Sequence, residues 1–210
     1  PIKALNTHKT YFNKSWAAVI IILILLLDQT TKIYIKLNFP LSGYGISPIL
    51  DWEYFKIIFV ENKGMAMGTK INDFIPFISE NTGKLILTIF RVAAISGLGY
   101  WLLDSIKKQS GVLLCWALSL IFAGALGNII DSIFYGILFS DSNGQIAQFL
   151  PEQGYAPLFY GHVVDMLQFP LIEWTWPSWL PYIGGKDYLF FQYIFNICLL
   201  YTSDAADDRD

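Results

Sequence analysis

Residues 16–35 read WAAVIIILILLLDQTTKIYI, and this stretch decides the fold class. Its first twelve residues are almost wholly apolar, and the whole is close to the roughly 20 residues that a bilayer-spanning helix needs. Its second half carries Asp28, Gln29, Thr30, Thr31 and Lys32. The apolar core could be read as a signal peptide. No small-x-small cleavage pattern follows it, so a retained first span is expected.

Two further runs have the same character. Leu85–Leu103 is interrupted only by Thr88, Arg91 and Ser96, and Val112–Ile130 carries Ser119 and Asn128. A fourth apolar run starts at Tyr188 (YLFFQYIFNICLLY) and dissolves into the acidic end SDAADDRD, too short to span as written. Composition agrees. Of the 210 residues 54% are hydrophobic, 17% aromatic and only 15% charged, against about 25% charged in an ordinary soluble domain. A net charge of −3 gives no reason to expect a nucleic-acid partner. Cys115 and Cys198 are distant and apolar in setting, and no His/Cys/Glu spacing points to a metal.

Asn38 to Lys84 contains DWEYFKIIFVENKG, whose alternation predicts short strands. Ser132 to Asp187 is rich in Gly, Pro, Trp and Tyr and is expected to form an ordered interfacial loop. Lys3, Lys9, Lys14, Lys107 and Lys108 flank the spans in a way that places these ends in the cytoplasm and both long segments on the other side.

Ionisable groups at membrane depth mark function. Asp28 and Lys32 stand four apart on one helix face, which fits either a helix-end ion pair or the wall of a site. Asn128 and Asp131 follow the small residues Gly124, Ala125 and Gly127. An Asn beside an Asp can hold the carboxylate in one rotamer, or simply join helices. Asp165 lies in the apolar GHVVDM (Gly161–Met166), where an isolated carboxylate would be desolvated. His162 is expected at the interface rather than as a ligand. Asn62 and Gly64 fit a tight turn at a hairpin end. A small ion-coupled transporter or a non-catalytic membrane scaffold would be the alternatives to an enzyme. The first would place its carboxylates near the midplane, often within repeats, and no repeat is seen.

In order, these motifs resemble lipoprotein signal peptidase (signal peptidase II). Asp28–Lys32 resembles DQxxK. Asn62–Met67 resembles NxGxAF, with Met67 for Phe. Gly124–Asp131 resembles GGALGNxxDR, with Ser132 where Arg is usual, which removes an expected cationic partner of Asp131. Gly161–Met166 resembles GHVVDF, and Phe195–Ile197 the start of FNxAD.

The resemblance implies an all-α transmembrane four-helix bundle, its fourth helix truncated here, with a small extracytoplasmic β-platform and a long interfacial loop. It implies an aspartyl endopeptidase of the bacterial inner membrane, its active site facing the outer side. Such an enzyme removes signal peptides from diacylglyceryl prolipoproteins, cutting before the lipidated Cys, with no cofactor, metal or obligate oligomer. Asp165 would be one catalytic carboxylate. Asp28, Lys32, Asn62, Gly64, Asn128, Asp131 and Asn196 would surround it. The second catalytic Asp is expected where Leu199 stands. Residues 1–197 would then form one membrane-embedded domain, and 198–210 (CLLYTSDAADDRD) a non-native tail resembling a translated sequencing adapter, so that this chain would be inactive. Asp204 lies five residues too late to replace the missing group.

Overall fold

The computed structural model describes residues 12–42, 47–63, 77, 79–170, 172–179, 185, 187–190 and 194–195. Among the described residues three helices are long and apolar enough to cross a membrane. Helix α1 (Lys14–Asn38) starts at Asn13, whose side chain accepts from Trp16 N–H at 2.9 Å, and α2 (Glu80–Lys107) starts at Ser79, which caps Thr82 N–H at 3.2 Å. Such side chains satisfy amides that the first helical turn leaves without partners. Helix α3 (Val112–Ile130) continues through a wide π-turn, Asp131–Tyr135, and a last turn, Gly136–Leu138. All three expected spans are present, α1 and α2 longer by a few residues at each end.

The helices turn apolar side chains outward. Ile22, Leu23, Leu26, Ile89, Phe90 and Leu113 are all exposed, as lipid-facing residues are. Inward, Ala17 and Ile20 of α1 pack on Leu102 and Ile106 of α2 and on Cys115 and Leu118 of α3. This is the apolar end of the bundle. At the other end Ile35 joins Phe59, Tyr135, Phe139, Val164 and Met166 in a second core, beneath a sheet.

The sheet has four strands in the order β1-β2-β3-β6: β1 (Leu50–Asp51), β2 (Lys56–Asn62), β3 (Val163–Gln168) and β6 (Ile194–Phe195), antiparallel at each pairing. Strands β4 (Ile172–Thr175) and β5 (Asp187–Phe190) form a separate hairpin-like pair. Strand β2 was foreseen from its alternation. The block at Gly161–Met166, expected as part of a loop, is instead a central strand.

A fourth crossing is not seen among the described residues. The described residues of the run beginning at Tyr188 are extended: Tyr188 pairs with Trp174, and Phe195 pairs with Leu167. A short apolar segment next to open sheet edges satisfies its backbone by strand pairing, and apolar content alone does not separate that from a helix.

Candidate active site

The polar half of α1 builds the centre. Asp28, Lys32 and Lys36 lie one turn apart on one face, all fully buried. Lys32 Nζ meets Asp28 Oδ2 at 2.9 Å and Asp131 Oδ2 at 2.7 Å, and donates to Asn128 Oδ1 at 3.0 Å. Gln29 Nε2 spans Asp28 Oδ2 (3.1 Å), Asp131 Oδ1 (3.0 Å) and the carbonyl of Gly127 (3.3 Å), while its Oε1 accepts from the Tyr135 hydroxyl at 3.1 Å. Asp28 and Lys32 are therefore more than a pair within one helix. They belong to a three-charge cluster in which one lysine holds two carboxylates from different helices. Charges this deep persist only when paired. Asp28 Oδ1 is buried without a hydrogen-bond donor among the described residues, and the lysine on Oδ2 offsets that cost.

Asn128 joins the same cluster. Its Oδ1 accepts from Lys32, while Asp131 is fixed by Lys32, Gln29 and the amide of Val164, which donates to Oδ2 at 3.3 Å. That last bond carries β3 to the helices and brings Asp165, the next residue, to the same place. The expected loss of a cationic partner at Ser132 is also overturned, because Lys32 supplies one to Asp131 and Arg91 of α2 donates to Ser132 Oγ at 3.2 Å.

The π-turn makes the close approach possible. Its widened backbone leaves carbonyls for the loop that follows. Gly161 N–H donates to Ser132 O (2.9 Å), Phe159 N–H to Ile133 O (3.0 Å) and Ala156 N–H to Gly136 O (3.0 Å). Such turns recur at functional sites. A Cβ on Gly161 would stand 2.1 Å from the carbonyl oxygen of Asp131, so only glycine fits there.

Asp165 is nearly buried and faces Val60 across the β2–β3 pairing, one step from Asn62, whose Nδ2 donates to Asp165 Oδ2 at 3.4 Å. A register shift in β2 between Ile57 and Val60 precedes this pair, and bulges of this kind re-aim side chains. Alternation then sends Glu61 and His162 to the opposite face of the sheet.

There a second polar network forms, which sequence reading did not single out. Lys36 is ion-paired with Glu61 and donates to Ser142 Oγ at 2.8 Å. Ser142 Oγ donates to the same Glu61 oxygen at 3.0 Å, and His162 Nδ1 meets the other at 2.9 Å. The Lys36 ammonium also stands 5.0 Å from the Tyr155 ring centroid, a cation–π distance. Burial by itself would raise the Glu61 carboxyl, but the bonds from His162 and Lys36 outweigh it and hold it at about 2. Burial pushes His162 below its usual range, against the pull of Glu61. A neutral imidazole donating from Nδ1 to an ionised Glu61 satisfies both. His162 is thus a mostly buried partner of Glu61. The one advance signal was the spacing of Lys36 from Lys32.

Of the remaining expected site residues, Gly64, Asn196 and Leu199 lie outside the described residues. Among the described residues no group of three His, Cys, Asp or Glu side chains is placed to hold a metal ion.

This geometry defines a helical membrane protein with carboxylates gathered at one end of its spans, beneath a small sheet. More closely, the chain belongs to the signal peptidase (SPase) II family, whose profile matches residues 20–198. It is 44% identical over 181 residues to the lipoprotein signal peptidase of Porphyromonas gingivalis, spanning 85% of this chain and 74% of that relative. To the lipoprotein signal peptidase of Amoebophilus asiaticus it is 32% identical over 167 residues, 79% of this chain and 64% of the relative. Two solved structures, described as bacterial membrane enzymes determined by the in meso method, share the fold. One has a TM-score of 0.57 at 22% identity, covering 95% of this chain and 92% of its own. The other has 0.55 at 21%, covering 93% and 85%.

Proposed function

We propose that this chain is the membrane-embedded body of an aspartic endopeptidase that removes the signal peptide from diacylglyceryl prolipoproteins, cutting before the lipidated cysteine. Family membership supports the substrate class. The observation that carries the residue assignment is the bond from Val164 N–H to Asp131, which seats Asp165 at the meeting point of α1, α3, β2 and β3. Asp165 is one catalytic carboxylate. Its partner is the aspartate that the motif places two residues after Ile197, where this chain has Leu199.

Two carboxylates at close range cannot both ionise cheaply, so they share one proton. The charged member takes a proton from water as the water attacks the scissile carbonyl. The protonated member donates to the carbonyl oxygen, the proton taken from water passes to the leaving amine as the C–N bond breaks, and the collapsing diol returns one proton to the pair. The pair titrates as a unit. Lys32, Asn62, Asn128, Asp131 and Asn196 hold the surround in place, Gly64 turns the chain beside it, and Asp28 anchors Lys32.

Residues 198–210 are a non-native tail in this reading, and the native continuation supplies Asp and completes a fourth crossing. The chain with Leu199 then lacks one half of the dyad and does not turn over. The site faces the outer side of the bacterial inner membrane, since Lys14, Lys107 and Lys108 lie at the opposite helix ends.

The test is cleavage of a diacylglyceryl prolipoprotein by the chain carrying its genomic continuation after Ile197. Asp165→Asn should abolish turnover, and equal cleavage by that variant overturns the assignment. Genomic DNA encoding CLLYTSDAADD at this point would overturn the tail.

A further inference from the structure

At the far end of the bundle from the candidate site, roughly 27 Å along α1 from Lys32, a cavity of about 580 Å³ lies between the start of α1 and the end of α2. Its wall is apolar, formed by Phe12, Tyr100, Leu103 and Ile106. Phe12 and Ile106 are buried and belong to the first core, so this wall is continuous with the packed interior. The rim is polar and carries Lys14, Lys107 and Asp104. Asp104 Oδ2 is paired with Lys108 Nζ at 2.7 Å. Lys14 and Lys107 are exposed, with no ion-pair partner among the described residues. Three lysines thus stand against one aspartate, and the rim is positive. The first turn of α1 has no acidic side chain and adds the positive end of the helix dipole.

The depth of the cavity decides which anion fits. Trp16 of α1, Trp101 of α2 and Trp116 of α3 are all exposed, and each lies within about two helical turns of this end of the bundle. Exposed tryptophans at one level on three helices form an aromatic belt, and such belts settle among lipid head groups. The rim therefore stands in the polar layer of the bilayer, and the apolar wall faces the beginning of the acyl chains.

We infer that this cavity binds an anionic phospholipid of the adjoining leaflet, its phosphate between Lys14 and Lys107 and an acyl chain along Phe12, Tyr100 and Leu103. Basic pockets between membrane helices hold such head groups. A zwitterionic lipid carries its own cation to the positive rim and gains less from it. A cationic peptide segment would meet three lysines and a single acid that is already paired. The site is separate from the candidate active site and requires only that the three helices cross a bilayer, so it does not depend on the peptidase reading.

The full chain in dodecyl maltoside is titrated with dioleoyl phosphatidylglycerol and, separately, with dioleoyl phosphatidylcholine, and bound lipid is read by native mass spectrometry. Melting curves confirm that each variant is folded. Phosphatidylglycerol should bind the parent about tenfold more tightly than phosphatidylcholine, and Lys14→Gln and Lys107→Gln should each weaken it by about fivefold, the effect of one lysine near an anionic head group. The two together should weaken it by about 25-fold, with phosphatidylcholine unmoved. Asp104→Asn, which removes the acid from the rim, should tighten phosphatidylglycerol. Lys56→Gln, an equal loss of charge on the sheet at the other end, should change nothing. Glycerol phosphate at millimolar concentration, a phosphate without acyl chains, should not displace the lipid. Unchanged binding by the folded double variant, or equal affinity of the parent for both lipids, overturns the inference. So does a loss in Lys56→Gln as large as in Lys107→Gln, which would mean diffuse attraction to the whole chain. Displacement by glycerol phosphate would make the cavity a solute site, and weakening by Asp104→Asn would assign it to a cationic segment. Either result overturns the lipid assignment.

Discussion

Lys32→Met removes one ammonium and leaves two buried carboxylates facing each other. In the parent, Lys32 Nζ stands 2.9 Å from Asp28 and 2.7 Å from Asp131, with all three side chains fully buried. Gln29 bridges the two acids at 3.1 and 3.0 Å, so they cannot move apart without breaking it. Two like charges so close, without a cation, force one acid to take up a proton. At pH 7, protonating a carboxyl of ordinary pKa near 3.9 costs about 4 kcal/mol, at ~1.4 kcal/mol per pH unit. Breaking buried ion pairs by removing one partner costs about 3–5 kcal/mol, the same size.

The folded variant then holds a proton that the unfolded chain lacks, so its deficit should shrink by ~1.4 kcal/mol for each unit the pH falls from 7 toward 4. Adding Asp131→Asn supplies a neutral group in advance and should recover about 2 kcal/mol or more. The assay is reversible unfolding in mixed dodecyl maltoside and dodecyl sulfate micelles, followed by tryptophan fluorescence. A Lys32→Met deficit below about 1 kcal/mol at pH 7, or one that does not change with pH, would refute the three-charge cluster.

Glu61, held at about 2 against an ordinary 4.5, contributes stability that is complete above pH 4.5 and lost as the pH falls toward 2, by about 3 kcal/mol in all. Glu61→Gln should erase this acid limb and weaken the fold at neutral pH by leaving Lys36 without its carboxylate. His162, depressed below 6.5, adds a gentler loss that begins as the pH falls under about 6.5, because the unfolded state takes the proton first. Gly161→Ala should cost about 2 kcal/mol or more, since its Cβ meets the Asp131 backbone at 2.1 Å, whereas Gly97→Ala, with nothing within 4 Å, should be neutral or gain about 0.5–1 kcal/mol in the same unfolding assay. Trp179, which is exposed, is expected to rest among lipid head groups. Brominated lipids should quench its fluorescence in a variant with the other tryptophans replaced, and unchanged emission would place the segment in water.

The spans were legible because each is a long apolar run with few interruptions, and Val112–Ile130 was placed residue for residue. Strand β2 was legible from its alternation. Strand β3 was not, because Val163, Val164, Asp165 and Met166 are all buried, and a strand covered on both faces loses the period of two. The paired acids of the centre were visible as DQTTK and GNIID. The partners that hold them were not: Gln29 and Asp131 are 102 residues apart, and Ser142 meets Glu61 across 81. Arg91 was read only as a polar interruption, and Lys36 was not singled out. The run from Tyr188 was not decided by its sequence, because a short apolar segment fits an edge strand as well as the beginning of a helix.

The two networks share one physical origin, which is the stripe Asp28–Lys32–Lys36 on α1. Lys32 ties that helix to α3 through Asp131, and Lys36 ties it to β2 through Glu61. Apolar replacements could hold these elements together at least as strongly, since buried ion pairs rarely add net stability over good packing. What apolar packing does not supply is direction. A carboxylate with a lysine and a glutamine amide on it, and the Val164 amide 3.3 Å away, has one permitted orientation. Because Val164 and Asp165 are consecutive, a displacement of Asp131 shifts the backbone that carries Asp165, while on the other face of the sheet Glu61 and His162 tie β2 to the start of β3. Asp165 is thus held from both sides by buried charges. In the peptidase reading proposed above, the polar half of α1 is a positioning device first and a source of stability second.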